Sequence, residues 1–149
     1  MSINKQELYF KNLDIINQRI NKYSKELKEK QETSSEEMSN NYEEETGAGE
    51  ILGDVESISN QLNIAREMKE ILLNIDPKKK NQYIGKGSII ETNKTYFFVS
   101  VALGKINLDD GSSVYCISSE APLYKELEGK SPGDSVVFRG ETINILNIE

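Results

Sequence analysis

The sequence predicts an α+β protein: an N-terminal antiparallel α-helical coiled-coil hairpin, then a small, mostly antiparallel β domain with one short helix. Three observations predict it. Apolar residues recur at heptad spacing in two runs on either side of a glycine-bearing segment. After Tyr83 the apolar period changes to the two-residue period of strands. Between Lys30 and Arg66 there is no basic residue but there are nine carboxylates, and a hairpin gathers them at its tip.

The first seam runs Tyr9, Leu13, Ile16, Ile20, Tyr23, Leu27, with spacings of 4, 3, 4, 3 and 4. After Leu27 it fades, and only Met38 and Tyr42 offer apolar contact before Gly47. Thr46-Gly47-Ala48-Gly49 reads as the strongest helix breaker of this half. A second seam begins at Ile51 and continues through Val55, Ile58, Leu62, Ala65, Met68, Leu72 and Ile75. It should stop at Asp76-Pro77, because a residue before proline disfavours the helical well. The expected organisation is therefore a helical hairpin over 1–76 with its tip at about 43–50, a linker at 77–82, and a β domain at 83–149.

In the β domain, Ser88–Thr92 reads as a strand and Thr95–Val101 as a second, apolar in its middle and so expected to be central. Leu108-Asp109-Asp110-Gly111 has hairpin-turn chemistry and Ser113–Ser118 reads as a third strand. Pro122–Glu128 reads as a short helix, with proline in its first turn and Gly129 at its end. Ser131–Asp134 is a turn, and Ser135–Phe138 and Thr142–Ile148 form a hairpin about Arg139-Gly140-Glu141.

The net charge of -7 argues against a general nucleic-acid binder, which needs cations to displace counterions from phosphates. The apolar runs are too short to span a membrane, and no basic-then-apolar leader opens the chain. With no histidine and Cys116 as the single cysteine, histidine catalysis and a structural zinc site are excluded, and a reducing cytoplasm is the expected setting. Cys116 reads as a small buried hydrophobe, and Tyr96, Phe97 and Phe98 as sheet core. Gly85-Lys86-Gly87 lacks the context of a phosphate loop. Lys78-Lys79-Lys80 reads as a solvated cationic hinge that suits the preceding helix C-terminus, or as a contact with phosphate or an acidic partner. The acidic stretch reads either as solvated surface or as a functional tip, with Glu43, Glu44, Glu45 and Glu50 as its candidate carboxylates.

The segment Ser119-Glu120-Ala121-Pro122-Leu123, Leu127-Glu128-Gly129-Lys130, Gly133-Asp134-Ser135-Val136, then Gly140 and Ile143–Ile148, resembles the C-terminal domain of the bacterial GreA/GreB transcript cleavage factors. The layout of coiled coil, linker and small β domain is similar as well. The resemblance implies an FKBP-like fold for the β domain and docking on bacterial RNA polymerase at its secondary channel. Pro122, Leu123, Gly129, Lys130, Gly133 and Asp134 fall in the polymerase-binding segment it implies. The coiled-coil tip would lend carboxylates to the polymerase, which performs the hydrolysis, so the chain would not be an enzyme itself. Family members that stimulate cleavage have Asp and Glu three residues apart at the tip. Glu45-Thr46 aligns best with the Glu, but the position three residues earlier is Tyr42, leaving Glu43 and Glu44 as alternatives for the second carboxylate. Glu44 and Glu45 are the candidate ligands of a Mg2+ ion shared with the polymerase active centre, since magnesium prefers carboxylate and water oxygens.

Several functions remain open at this point. One is a cleavage-stimulating elongation factor, a monomer in indirect contact with nascent RNA. Another is a Gre-like channel binder that regulates or inhibits without cleavage, a reading the missing tip Asp favours. Outside that class are an FKBP-like chaperone or prolyl isomerase and a coiled-coil adaptor.

Overall fold

Two long helices, α1 (Lys5–Asn40) and α2 (Glu45–Leu73), open the chain. A computed structural model describes residues 3–40 and 45–149, with side chains described at 3–32 and 52–149. Asn4 starts α1: its side-chain oxygen accepts the Glu7 N–H at 3.1 Å, satisfying a donor that the first helical turn leaves free. The seam is borne out by burial. Tyr9 and Ile16 are buried and Leu13, Ile20, Tyr23 and Leu27 half-buried, while Leu62, Ala65 and Leu72 are buried on the second helix and Ile75 just past its end. The helices run antiparallel, since Lys30 pairs with Asp54 at 3.5 Å and Arg19 and Tyr23 share a small cavity with Gln61, Ala65 and Met68.

The helix boundaries correct one expectation. Gly47 and Gly49 do not break the chain: α2 begins at Glu45 and runs through both. Each glycine costs about 1 kcal/mol relative to alanine, but once a helix is nucleated each added residue brings its own hydrogen bond. Residues 45–50, expected as tip, are therefore helical backbone, and 41–44 lie outside the described residues. The stop before Pro77 holds, with α2 ending at Leu73 and the Ile75 N–H closing a last turn on the Leu72 carbonyl.

The remaining elements are β1 (Ile89–Thr92), β2 (Tyr96–Ser100), β3 (Gly104–Asn107), β4 (Ser113–Ser118), α3 (Pro122–Leu127), β5 (Ser135–Phe138) and β6 (Glu141–Ile148). The six strands form one sheet in the order β3-β4-β2-β1-β6-β5. All neighbours are antiparallel except β2 and β4, which run parallel with Phe97 beside Tyr115 and Phe98 beside Cys116. β3 is the strand that alternation does not predict: it is an edge strand with Gly104 at its start and only Ile106 buried.

β2 is buried along nearly its whole length because both faces of the sheet are covered. On one face Phe97 and Val99 pack with Ile90, Ile143, Ile145 and the α3 residues Tyr124 and Leu127. On the other, Asn12 of α1, whose amide donates to the Leu8 carbonyl at 2.7 Å, lies near Cys116, and Gly87, at φ +89, lies so close to Ile75 that an added Cβ would meet its Cγ2 at 3.0 Å. Contacts accordingly divide the chain into two units, Met1–Leu13 with Ile71–Glu149, and Asp14–Glu70. The first turns of α1 and the last of α2 thus group with the sheet, through Leu8, Tyr9, Asn12, Leu72 and Ile75, all buried.

Candidate functional sites: an aromatic groove and the acidic helical segment

The face that α3 covers is left open at one end, where a groove of about 380 Å3 forms. Its floor comes from β2 and β4. The parallel register sets Phe97 beside Tyr115, with ring centroids 6.2 Å apart and planes tilted by 43°. Along β4 the burial alternates, so that Val114 and Cys116 point to the buried far face and Tyr115 points into the groove, 40% exposed. Leu123 of α3 forms one wall, and Phe138 and Ile143 of the β5–β6 hairpin form the other.

The rim is charged. Lys94 and Arg139 supply cations and Glu141 one carboxylate. Arg139 is held unusually. It is the only described non-glycine residue with positive φ (51°), and Gly140 follows at φ 80°. Two successive positive φ values make the two-residue type I′ turn that matches strand twist, a turn that usually takes Asn-Gly. An arginine there sits in a sparsely populated backbone region. Its guanidinium lies over the Phe138 ring, 5.1 Å from the centroid. Arg139 is thereby kept beside the apolar floor.

The expected polymerase-binding residues divide between this groove and another place. Leu123 lines the groove, and Pro122 precedes it at the exposed start of α3. Gly129, Lys130, Gly133 and Asp134 are exposed in the α3–β5 loop, where Asp134 closes the turn by accepting the Ser131 N–H at 2.8 Å and its own N–H binds the Ser131 carbonyl. The Asp134 carbonyl accepts the Ile145 N–H, which fixes the loop to mid-β6. The groove lies at the far end of β5, at Phe138. Phe97 belongs to the core as expected, yet its edge also forms the groove floor. Tyr115, Phe138 and Arg139 read in the sequence only as strand and turn residues, with no functional role. The available signal was an aromatic residue at an outward position of β4, but the pairing that sets it beside Phe97 is non-local.

Of the tip carboxylates, Glu43 and Glu44 lie outside the described residues; Glu45 and Glu50 belong to the first turns of α2, with side chains outside the description. Among the described residues no cluster of three His, Cys, Asp or Glu side chains could hold a metal ion. Asp54 is engaged by Lys30. Also among the described residues, no helix is long and apolar enough to cross a membrane.

Cys116 is buried, and burial pushes its thiol up to about 12, with the nearby polar Asn12 side chain pulling weakly the other way. It is a core side chain and no nucleophile at neutral pH.

A scan against protein-family models and a search of curated proteins give no match. Among solved structures, the chain is similar to the crystal structure of GreA factor homolog 1 (Gfh1) of Thermus thermophilus, at 18% identity and TM-score 0.38 over 93% of this chain and 94% of that one. A structure described as the transcription factor Gfh1 matches at 17% identity and TM-score 0.40, covering 92% of each chain. Gfh1 of Thermus aquaticus matches at 15% and 0.33, over 92% of this chain and 93% of that one.

Proposed function

We propose that this chain is a Gre-type accessory factor that docks on bacterial RNA polymerase through the Phe97–Tyr115–Leu123 groove and presents the acidic connection of its two helices to the secondary channel. The observation that carries the reading is that the segment resembling the GreA/GreB C-terminal domain folds as one continuous piece, α3 through β6, and builds the walls of a large apolar groove of the β unit. An apolar floor rimmed by Lys94 and Arg139 suits a polymerase segment that offers an apolar anchor beside a carboxylate. The antiparallel helices α1 and α2, with nine carboxylates and no basic residue between Lys30 and Arg66, supply the acidic end.

Its proposed role is stimulation of cleavage of backtracked transcripts, with Glu43, Glu44, Glu45 and Glu50 as the lent carboxylates. Their donor chemistry fits a hard cation: Glu44 and Glu45 would offer oxygens to a magnesium ion, which when bound activates water and steadies developing negative charge on phosphate. The chain itself would not be an enzyme. Tyr42, where cleavage-stimulating family members have Asp, favours a second reading, a channel binder that regulates without cleavage.

One experiment tests both. A stalled, backtracked complex of the cognate polymerase is incubated with wild type, with Tyr115→Ala/Leu123→Ala, and with Glu43, Glu44 and Glu45 all changed to Ala. The groove variant should bind at least tenfold more weakly while remaining folded. Shortened transcripts with wild type but not with the tip variant mark a cleavage factor. Binding without shortening marks the non-cleaving regulator. Absence of any complex at moderate salt removes both readings, and turnover of a proline peptide at the groove would put an isomerase in their place.

A further inference from the structure

We propose that the turn Asp76–Lys80 and the start of α1 form a binding site for a small phosphate-bearing anion such as pyrophosphate or the triphosphate of a free nucleotide. A cavity of about 290 Å3 lies here, lined by Lys5, Gln6, Lys78, Lys79, Lys80 and Glu149 among others. Four ammonium groups and one side-chain carboxylate thus meet in a chain whose net charge is -7.

The lysines are presented on an ordered turn. Pro77 fixes the second position, the Lys79 N–H binds the Asp76 carbonyl at 3.2 Å, and the Lys78 N–H binds Asp76 Oδ1 at 2.9 Å. The adjacent carboxylate is thereby turned onto the backbone. Lys5 reaches across: its Nζ donates to the Lys79 carbonyl at 2.8 Å and lies 3.5 Å from the Glu149 O atom. That oxygen belongs to the main chain, and the Glu149 charge acts on Lys5 only from nearby. Among the described residues no ion pair engages Lys78, Lys79 or Lys80.

Burial lowers the pKa of the Lys5 ammonium, with Glu149 and Asp76 opposing the shift. An anion in the cavity would supply the missing charge. Ammonium groups act on phosphate oxygens as point charges. A concave site near 300 Å3 is at the small-molecule end of ligand pockets, which favours a compact anion over a polymer backbone.

The test is a titration of the full chain with sodium pyrophosphate, followed by amide NMR shifts at neutral pH, with parallel titrations of ATP and a short RNA. Saturating shifts confined to Lys5, Gln6, Lys78–Lys80 and Glu149, with pyrophosphate or ATP, are the expected result. Lys78→Gln/Lys79→Gln/Lys80→Gln should weaken binding at least tenfold with an unchanged melting temperature, because all three side chains are exposed. Lys105→Gln/Lys125→Gln should leave it unchanged. Undiminished affinity in the triple variant, shifts spread equally to Lys105 and Lys125, or capture of RNA alone would overturn the proposal. Because no polymerase is present, the result is independent of the docking reading.

Discussion

The two units of this chain spend their residues differently. In Asp14–Glu70, only Ile16, Leu62 and Ala65 are buried hydrophobics among the described residues, whereas the unit with the sheet holds all the others, including Phe98, Leu8, Ile90 and Leu127 with almost no exposure. Two paired helices bury a stripe each; a sheet covered on both faces buries whole strands. The helical unit therefore contributes little core, and its distinctive content is charge. The sheet unit holds most of the buried core among the described residues, and with it a sizeable apolar groove.

The largest way to break that contrast is at its centre. Phe98→Ala empties a fully buried position and should cost about 3–5 kcal/mol, a large share of the stability of a domain this size. Leu62→Ala, at the helical seam, should cost about 2 kcal/mol, since a two-helix pair collapses around a gap more readily than a sheet core does. Chemical denaturation of both variants checks the order. If Leu62→Ala is the more damaging, stability does not reside chiefly in the sheet unit.

Next in size is alkaline pH. With its native value pushed to about 12, the Cys116 thiol stays protonated in the fold while the unfolded thiol ionises near 8.5. A raised native pKa gives stability that is complete below the unfolded value and is lost as pH rises through the native one. Stability should fall between about pH 8.5 and 12, by about 5 kcal/mol at most from this group. Burial raises Tyr96 and Tyr124 as well, which adds loss in the same direction. Cys116→Val should flatten the slope in pH-dependent melts. An unchanged slope would mean that the thiol is not the group responsible.

How much of this was legible follows the same division. Heptad spacing marked the helical seam residue by residue because helix contacts are local. It failed at Gly47 and Gly49, where local propensity yields to the continuity of a long helix. In the sheet unit, alternation and turn chemistry located β1, β2, β4, α3, β5 and β6, and the apolar run of β2 marked a central strand, as found. The weak edge strand β3 left little trace. The groove was legible only at Leu123. Tyr115 and Phe97 are 18 residues apart in sequence and meet through the parallel β2–β4 register, which no local pattern encodes.

A finer test separates stability from docking within the sheet unit. Arg139→Asn places a residue tolerant of positive φ in the turn and should raise stability by up to about 1 kcal/mol. It also removes one of the two cations at the groove rim, so under the proposed docking polymerase affinity should fall. Gain of stability with loss of binding identifies a strained residue retained for its surface role. Gain of both would show that the guanidinium is not part of the docking surface.

The smallest expected effect lies at the surface pair of Lys11 with Asp109, 3.0 Å apart. The hydrogen bond from Lys11 holds the Asp109 carboxyl below its ordinary range, and the same bond raises Lys11. The Asp109 contribution is present above the unfolded carboxyl value and is lost as pH falls through its lowered native one. The Lys11 contribution is lost as pH rises through its raised value. Both side chains meet solvent, Asp109 at 82% exposure, so salt screens the pair. Asp109→Asn should shift the melting temperature less than Arg139→Asn does, and the shift should vanish in 1 M salt or at acid pH. The Asp109 backbone N–H keeps its bond to Glu7 at 2.9 Å in that variant, so the link from α1 to the β3–β4 turn persists without the charge. A shift that survives high salt would locate real stability in this exposed contact, and the assignment of stability to the buried sheet core would need revision.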